Sequence, residues 1–366
     1  MIPFLDLARQ YREVKAEAAA ALAGVLARGV YILGREVEAF EEEWARFCGV
    51  SGAAAVACGT DALALALIAS GAVRKGRMDE VITSPLTAAY TALAIMNAGG
   101  VPVFADLDPH TYLLDPQALE RAITPRTRAI VPVHLYGQMA DMAGICDVAA
   151  RHGLLVIEDA AQAHGARLSG RRAGAHGQAG AFSFYPTKNL SGYGDGGAVT
   201  SNDAALIARV KVLRQGGHAA ALQGHVEGRN SRLDEIQAAV LRVKLPHLDT
   251  WNRQRQSFAA MYHEKLHRTR LRVPWALEPD AHVYHLYVVQ HQGRDRFRSA
   301  LAARGVETMI HYPYLLHQQP LFRRGGQPAL PMAERVATRI LSLPLYPQLN
   351  VEELQAVADA ILDCEA

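Results

Sequence analysis

Between about residues 80 and 200 the chain alternates short aliphatic runs with stretches whose apolar positions recur at helical spacing. Val81-Ile-Thr precedes a helical pattern over 88–97, Val101-Pro-Val-Phe precedes one over 116–123, and Ala129-Ile-Val-Pro-Val precedes one over 142–152. Leu154-Leu-Val-Ile follows as a further strand-like run. This alternation predicts an α/β fold, a mainly parallel central sheet flanked by helices on both faces. Ligands of such sheets lie beyond the carboxyl ends of the strands. Asp159 ends one such run and Lys188 follows another, Ala181-Phe-Ser-Phe184, so both groups converge on one crevice.

Helical patterns over 11–28 and 36–47 precede this core. Two more follow it, over 203–215, with Asn202 or Asp203 as the cap, and over 231–245. Near Pro246 the pattern changes. A helix over 248–267, a strand through 284–290, a helix over 295–304, a strand over 306–310 and a last helix from Val351 predict a smaller C-terminal α+β domain. The expected division is therefore 1–245 for a large domain with N-terminal helices and 246–366 for a small one. Gly325-Gly326 reads as an exposed loop.

The length of 366 residues suits two domains, and 50% hydrophobic content is ample for their cores. The 38 basic and 36 acidic residues leave a net charge of +2, which gives nucleic acid no attractive field. Cys48, Cys58, Cys146 and Cys364 contain no Cys-x-x-Cys pair, so neither a zinc site nor a disulfide framework is expected. His263 and His267 share a helical face but lack a third ligand, and no metal is expected there. The N-terminus lacks a signal-peptide pattern, and the apolar run over 61–71 is too short to cross a bilayer. A cytoplasmic protein without a membrane partner is the expectation. Gly192-Tyr-Gly-Asp-Gly-Gly197 leads into the strand-like Ala198-Val-Thr rather than a helix, which excludes a dinucleotide loop.

The chemistry lies in two runs. Phe182-Ser-Phe-Tyr-Pro-Thr-Lys188 breaks into a glycine-rich loop, and Val156-Ile-Glu-Asp159-Ala-Ala-Gln162-Ala-His164 ends a strand with acid, amide and imidazole. A lone lysine is ordinarily a solvated surface residue, and a lone aspartate ordinarily a cap. Together they offer what pyridoxal 5′-phosphate requires: an amine for the aldehyde and a carboxylate that keeps the pyridine nitrogen protonated. Gly59-Thr60-Asp61 precedes a helical run over 62–69, where exposed amides and the positive dipole end suit a phosphate or, more plainly, a helix cap.

These runs resemble the sugar-nucleotide aminotransferases of the DegT/DnrJ/StrS type. The likeness extends through Ile2-Pro-Phe-Leu-Asp-Leu7, Tyr31-Ile-Leu-Gly34, Val131-Pro-Val-His-Leu-Tyr-Gly137, Asn230-Ser-Arg-Leu-Asp234 and Leu341-Ser-Leu-Pro-Leu-Tyr-Pro347, nearly the whole chain. The resemblance implies the PLP-dependent transferase fold type I and catalytic roles for Lys188 and Asp159. It implies cofactor contacts from Gly59, Thr60, Gln162, Ser183 and, reaching across a homodimer, Asn230. It places Tyr312 and His317, near His311, on the substrate side. L-glutamate is the implied amine donor and a nucleotide-linked keto-6-deoxyhexose, dTDP-linked, the implied acceptor, with C3 favoured. The alternatives are C4 amination of a UDP- or GDP-linked keto-sugar and a non-catalytic regulatory member of the same fold. Two departures from the family pattern stand out. Ala88 occupies the place of an aromatic residue that stacks on the cofactor ring, with Tyr90 the nearby substitute, and Ser191 occupies a position where glycine is frequent.

Overall fold

The computed structural model describes residues 1–218, 227–323 and 329–365, so the reading of Gly325-Gly326 falls outside the described residues. The chain begins with α1 (Leu7–Arg28) and α2 (Arg35–Cys48), then enters the core through β1 (Gly52–Val56), α3 (Gly59–Ala69), β2 (Glu80–Thr83), α4 (Ala89–Asn97) and β3 (Val101–Phe104). It continues through α5 (Pro116–Arg121), β4 (Thr127–Val131), α6 (Met142–His152) and β5 (Leu155–Asp159). A short hairpin, β6 (Arg167–Leu168) and β7 (Arg171–Arg172), leads to β8 (Ala179–Ser183), β9 (Gly197–Ser201) and α7 (Ala204–Leu213).

Seven of these strands form one sheet in the order β1-β9-β8-β5-β4-β2-β3. The run from β8 to β3 is parallel throughout, whereas β9 pairs antiparallel with both β8 and β1. The mainly parallel sheet expected from the alternation is present, with one strand, β9, running against the other six. Alternate residues enter different cores: Ala53 and Ala55 of β1 pack in one cluster, Ala54 and Val56 in the other. Both faces are therefore covered, which is why these strands read as unbroken apolar runs. Helix α3 is apolar on nearly every side because it lies between β8, β9, α4 and α7.

The remaining elements are α8 (Glu235–Lys244), α9 (Leu248–Leu266), β10 (Tyr287–Gln290), α10 (Arg294–Ala303), α11 (Pro331–Ala337), β11 (Ile340–Leu343) and α12 (Val351–Glu365). One turn of 3₁₀ helix, Leu245–His247, joins α8 directly to α9. β10 and β11 form an antiparallel pair packed with α9, α10 and α12 around Tyr262, Tyr287 and Tyr346. Two sequence expectations fail here. The strand through 284–290 starts only at Tyr287, because Tyr284 takes a left-handed φ of 44° that interrupts extended pairing. The strand over 306–310 is absent; Val306 makes a single bridge to Ile2 and Met309 one to Ser342, while β11 occupies the register beside β10.

Candidate active site

β5 delivers Asp159 to the carboxyl end of the sheet. Asp159 donates its N–H to the Pro132 carbonyl at 2.9 Å and accepts from the His134 N–H at 3.0 Å, so the strand pairs to its last residue. Asp159 is 8% exposed, and its carboxylate accepts two hydrogen bonds, from Thr91 Oγ1 to Oδ2 at 2.8 Å and from the Ala161 N–H to Oδ1 at 3.2 Å. Burial raises its pKa, against the lowering effects of Thr91 and of the charge on Lys188. Thr91 escaped the sequence reading. It lies in the first turn of α4, 3.2 Å from the hydroxyl of Thr87, and the i, i+4 spacing of these threonines was the available signal.

Lys188 follows β8 in a turn closed by its own N–H donating to the Tyr185 carbonyl at 2.9 Å. Its ammonium makes no hydrogen bond or ion pair among the described residues. Desolvation lowers its pKa to about 8, with Asp159 opposing. Next to it, Asn189 is buried and fully engaged: Nδ2 donates to Asn252 Oδ1 at 2.9 Å and to the Val283 carbonyl at 3.1 Å, and Oδ1 lies 3.2 Å from His285 Nδ1. The lysine thus leaves from an anchored backbone. Three imidazoles near it, His164, His285 and His311, are held neutral by burial, reinforced by the Lys188 charge. His164 places one ring nitrogen 2.8 Å from the Ser183 carbonyl and leaves Nδ1 buried without a partner among the described residues.

The helix expected over 62–69 begins earlier, at Gly59, with Cys58 as its cap; the Cys58 Sγ accepts from the Asp61 N–H at 3.5 Å. Gly59 and Thr60 therefore lie in the first turn, where N–H groups have no intrahelical acceptor. Glycine is required there by close approach. A Cβ on Gly59 would sit 2.6 Å from Ser183 Cβ, and one on Gly197 would sit 2.4 Å from the Cys58 carbonyl. The end of β8 and the start of α3 thus meet, setting Ser183 beside Gly59.

Gln162 is buried, its Oε1 accepting from the Tyr136 N–H at 2.7 Å and its Nε2 donating to the Tyr312 hydroxyl at 3.0 Å. Its second amide hydrogen remains for another acceptor. The Tyr136 hydroxyl donates to the His311 carbonyl, so residues 311–312 are tied to the strand ends from two sides. His317 is turned elsewhere: its Nε2 lies 3.3 Å from Glu334 Oε1 on α11. Asn230 is exposed and lines an open cavity with Ala57, Asp195 and Arg232. Its neighbour Ser231 accepts from the Ala57 N–H at 3.2 Å, beside the α3 cap. Tyr90 is 65% exposed on α4. Among the described residues no group of three His, Cys, Asp or Glu side chains is placed to hold a metal ion.

This site can present a largely desolvated amine, a buried carboxylate and a hydroxyl-flanked helix start within one crevice. Comparison with known proteins bears on that chemistry. The sequence model of the DegT/DnrJ/EryC1/StrS aminotransferase family matches residues 12–362. The dTDP-3-amino-3,4,6-trideoxy-alpha-D-glucose transaminase of Streptomyces venezuelae is 46% identical over 98% of this chain and 95% of its own length. The UDP-N-acetyl-3-dehydro-alpha-D-glucosamine 3-aminotransferase of Acidithiobacillus ferrooxidans is 42% identical over 98% and 97%. A crystal structure of S. venezuelae DesV superposes with a TM-score of 0.96 at 45% identity, covering 100% of this chain and 99% of that one.

Proposed function

The chain belongs to the DegT/DnrJ/EryC1/StrS aminotransferase family, and from that premise we propose that it aminates C3 of a dTDP-linked 3-keto-6-deoxyhexose with L-glutamate as donor and pyridoxal 5′-phosphate as cofactor. Two relatives acting on different nucleotides both carry a 3-amino or 3-dehydro designation, which favours C3 over C4. The observation that carries the reading is the Lys188 ammonium near Asp159, without a hydrogen-bond or ion-pair partner among the described residues, at a sheet end where Gly59 and Gly197 let β8 and β9 close on the start of α3.

The residues present fit the cofactor. When bound, it supplies an electron sink for the charge left at the substrate carbon as a proton departs. Lys188 holds it through its amine, and a pKa of about 8 keeps a usable neutral fraction for moving a proton at Nζ. Asp159 keeps a proton on the pyridine nitrogen by its charge. Gln162 offers its remaining amide hydrogen to the ring hydroxyl. Gly59, Thr60 and Ser183 receive the phosphate at the start of α3. Asn230 of the partner subunit completes that site in a homodimer, a role consistent with its exposure in one chain. Tyr312, bonded to Gln162, faces the sugar nucleotide, whereas the contact with Glu334 turns His317 away from it. We further propose a domain division at 245/246, where a single 3₁₀ turn joins α8 to α9, and a cytoplasmic location; among the described residues no helix is long and apolar enough to cross a membrane.

An intact Lys188, Asp159, Gln162 and Thr60 set speaks against a purely regulatory role. The test is product structure. Incubated with glutamate and matched 3-keto and 4-keto dTDP-sugars, the enzyme should form a new C–N bond at C3, located by NMR. Amination only at C4 would overturn the C3 assignment, and no amination of any keto-sugar would overturn the enzyme reading.

A further inference from the structure

The loop that carries the chain from Lys188 to β9 lies along one face of α8. Gln237 and Lys244 stand seven residues apart on that helix, which puts them on the same face two turns apart. Gln237 Oε1 accepts from the Tyr193 N–H at 2.8 Å. Its amide also occupies the space that side chains would need at two loop positions: a Cβ on Gly192 would lie 2.6 Å from Oε1, and one on Gly194 would lie 2.9 Å from Nε2. Gly192 and Gly194 are thereby accounted for by close approach to α8.

Lys244 holds the same loop from two turns further on. Its Nζ donates to Ser191 Oγ at 3.2 Å and to Gln10 Oε1 of α1 at 3.0 Å, and lies 4.4 Å from the centre of the Tyr193 ring. Only 2% of Lys244 is exposed. Among the described residues no carboxylate compensates it, and burial by itself lowers its pKa to about 8. An ammonium held on neutral acceptors and a ring is costly where a methionine would pack without loss. What the cost secures is direction: each hydrogen bond fixes a defined atom of the loop, and Ser191, the departure from the usual glycine, provides one of the acceptors.

We propose that Gln237 and Lys244 form a clamp on residues 191–193 that positions Lys188. Asn189 pins the loop on its other side, to Asn252, Val283 and His285. Lys188 immediately precedes these anchors, so its backbone leaves from a pinned segment while its ammonium has no partner among the described residues. Both clamp members are positioning residues. Their role rests on Lys188 being the reacting amine.

The test is hydrogen exchange of the holoenzyme read by mass spectrometry, together with steady-state kinetics. Lys244→Met and Gln237→Ala should each accelerate exchange across 189–194 by about tenfold and lower kcat by about tenfold while KM stays within about twofold. Gln237→Glu keeps an acceptor for the Tyr193 N–H and should restore both. Ser191→Ala should add little on top of Lys244→Met, since the two share one contact. If Lys244→Met fails to fold, Ser191→Ala and Gln237→Ala carry the same test. Unchanged exchange in 189–194, acceleration spread evenly over β2 and β4, or a rise in KM with kcat unaltered would each overturn the clamp. Exchange does not depend on Lys188 chemistry, so a loosened loop in a protein that aminates no keto-sugar would sink the proposed function and leave the clamp standing.

Discussion

Glu158 and Asp159 are consecutive residues at the end of β5, and their side chains meet opposite surroundings. Glu158 accepts from the N–H groups of His176 and Gly177 at 2.7 Å each and of Gly174 at 2.8 Å, and lies 2.9 Å from His134 Nε2. His134 Nδ1 in turn accepts from the Ala140 N–H at 3.1 Å. Burial would raise the Glu158 pKa, but His134 and these amides outweigh it and the net shift is downward. Asp159, with two donors, shifts upward. A carboxylate offers about four acceptor positions. Those of Glu158 are filled by its own chain and hold the 174–177 turn, whereas those of Asp159 are partly free for a ligand. Burial alone therefore does not mark a functional acid; unfilled acceptor capacity beside an unpaired amine does.

Four measurements would break or sharpen this contrast. Lys188→Ala should abolish turnover and remove the borohydride-reducible link to the cofactor. A reduced adduct mapped by mass spectrometry to Lys244, the other lysine with a pKa near 8, would relocate the site. Next in size, Asp159→Asn should retain cofactor yet lose about 10²-fold or more in kcat, while Glu158→Gln should cost about 1–3 kcal/mol in urea unfolding with kcat nearly unchanged. An equal kinetic loss in both variants would erase the distinction between the two acids.

Thr91→Val removes one of the two donors to Asp159 and should raise the Asp159 pKa further. The acid limb of the kcat/KM profile then moves to higher pH, with a loss of about tenfold below it. A limb that stays in place would take Thr91 out of the site.

The smallest effect is on the stability of the cofactor-free chain, and its sign differs between the two acids. The folded pKa of Asp159 is above its ordinary 3.8, so the folded state binds a proton that the unfolded state releases, and stability falls as pH rises past that value. The folded pKa of Glu158 is below 4.5, so its contribution is present above 4.5 and is lost as pH falls through the folded value. At neutral pH Asp159→Asn should raise Tm and Glu158→Gln should lower it, each by about 2–4 °C. Both differences should shrink below about pH 4. Calorimetry showing the same sign for both would contradict the assignment.

The mainly parallel sheet, the placement of Asp159 at a strand end and of Lys188 beyond another, and the closeness of Thr60 to a helix start were legible in the chain, although the helix begins at Gly59 and not at residue 62. They follow from local rules: unbroken apolar runs bury both faces of a strand, and the polar residues after them emerge at its carboxyl end. Thr91 meets Asp159 across 68 residues of sequence, and Lys244 meets Ser191 across 53. Such partners depend on how far α4 and α8 are rotated and advanced against the sheet, which no periodicity records. The same holds for the run over 306–310, which makes only isolated bridges, from Val306 to Ile2 and from Met309 to Ser342, while β11 pairs with β10. By itself the amino-acid sequence determined which residues leave the sheet and what chemistry they carry; tertiary structure decided which acid stays unfilled and which lysine stays unpaired, since hydrogen-bond saturation is a property of neighbours brought together from distant parts of the chain.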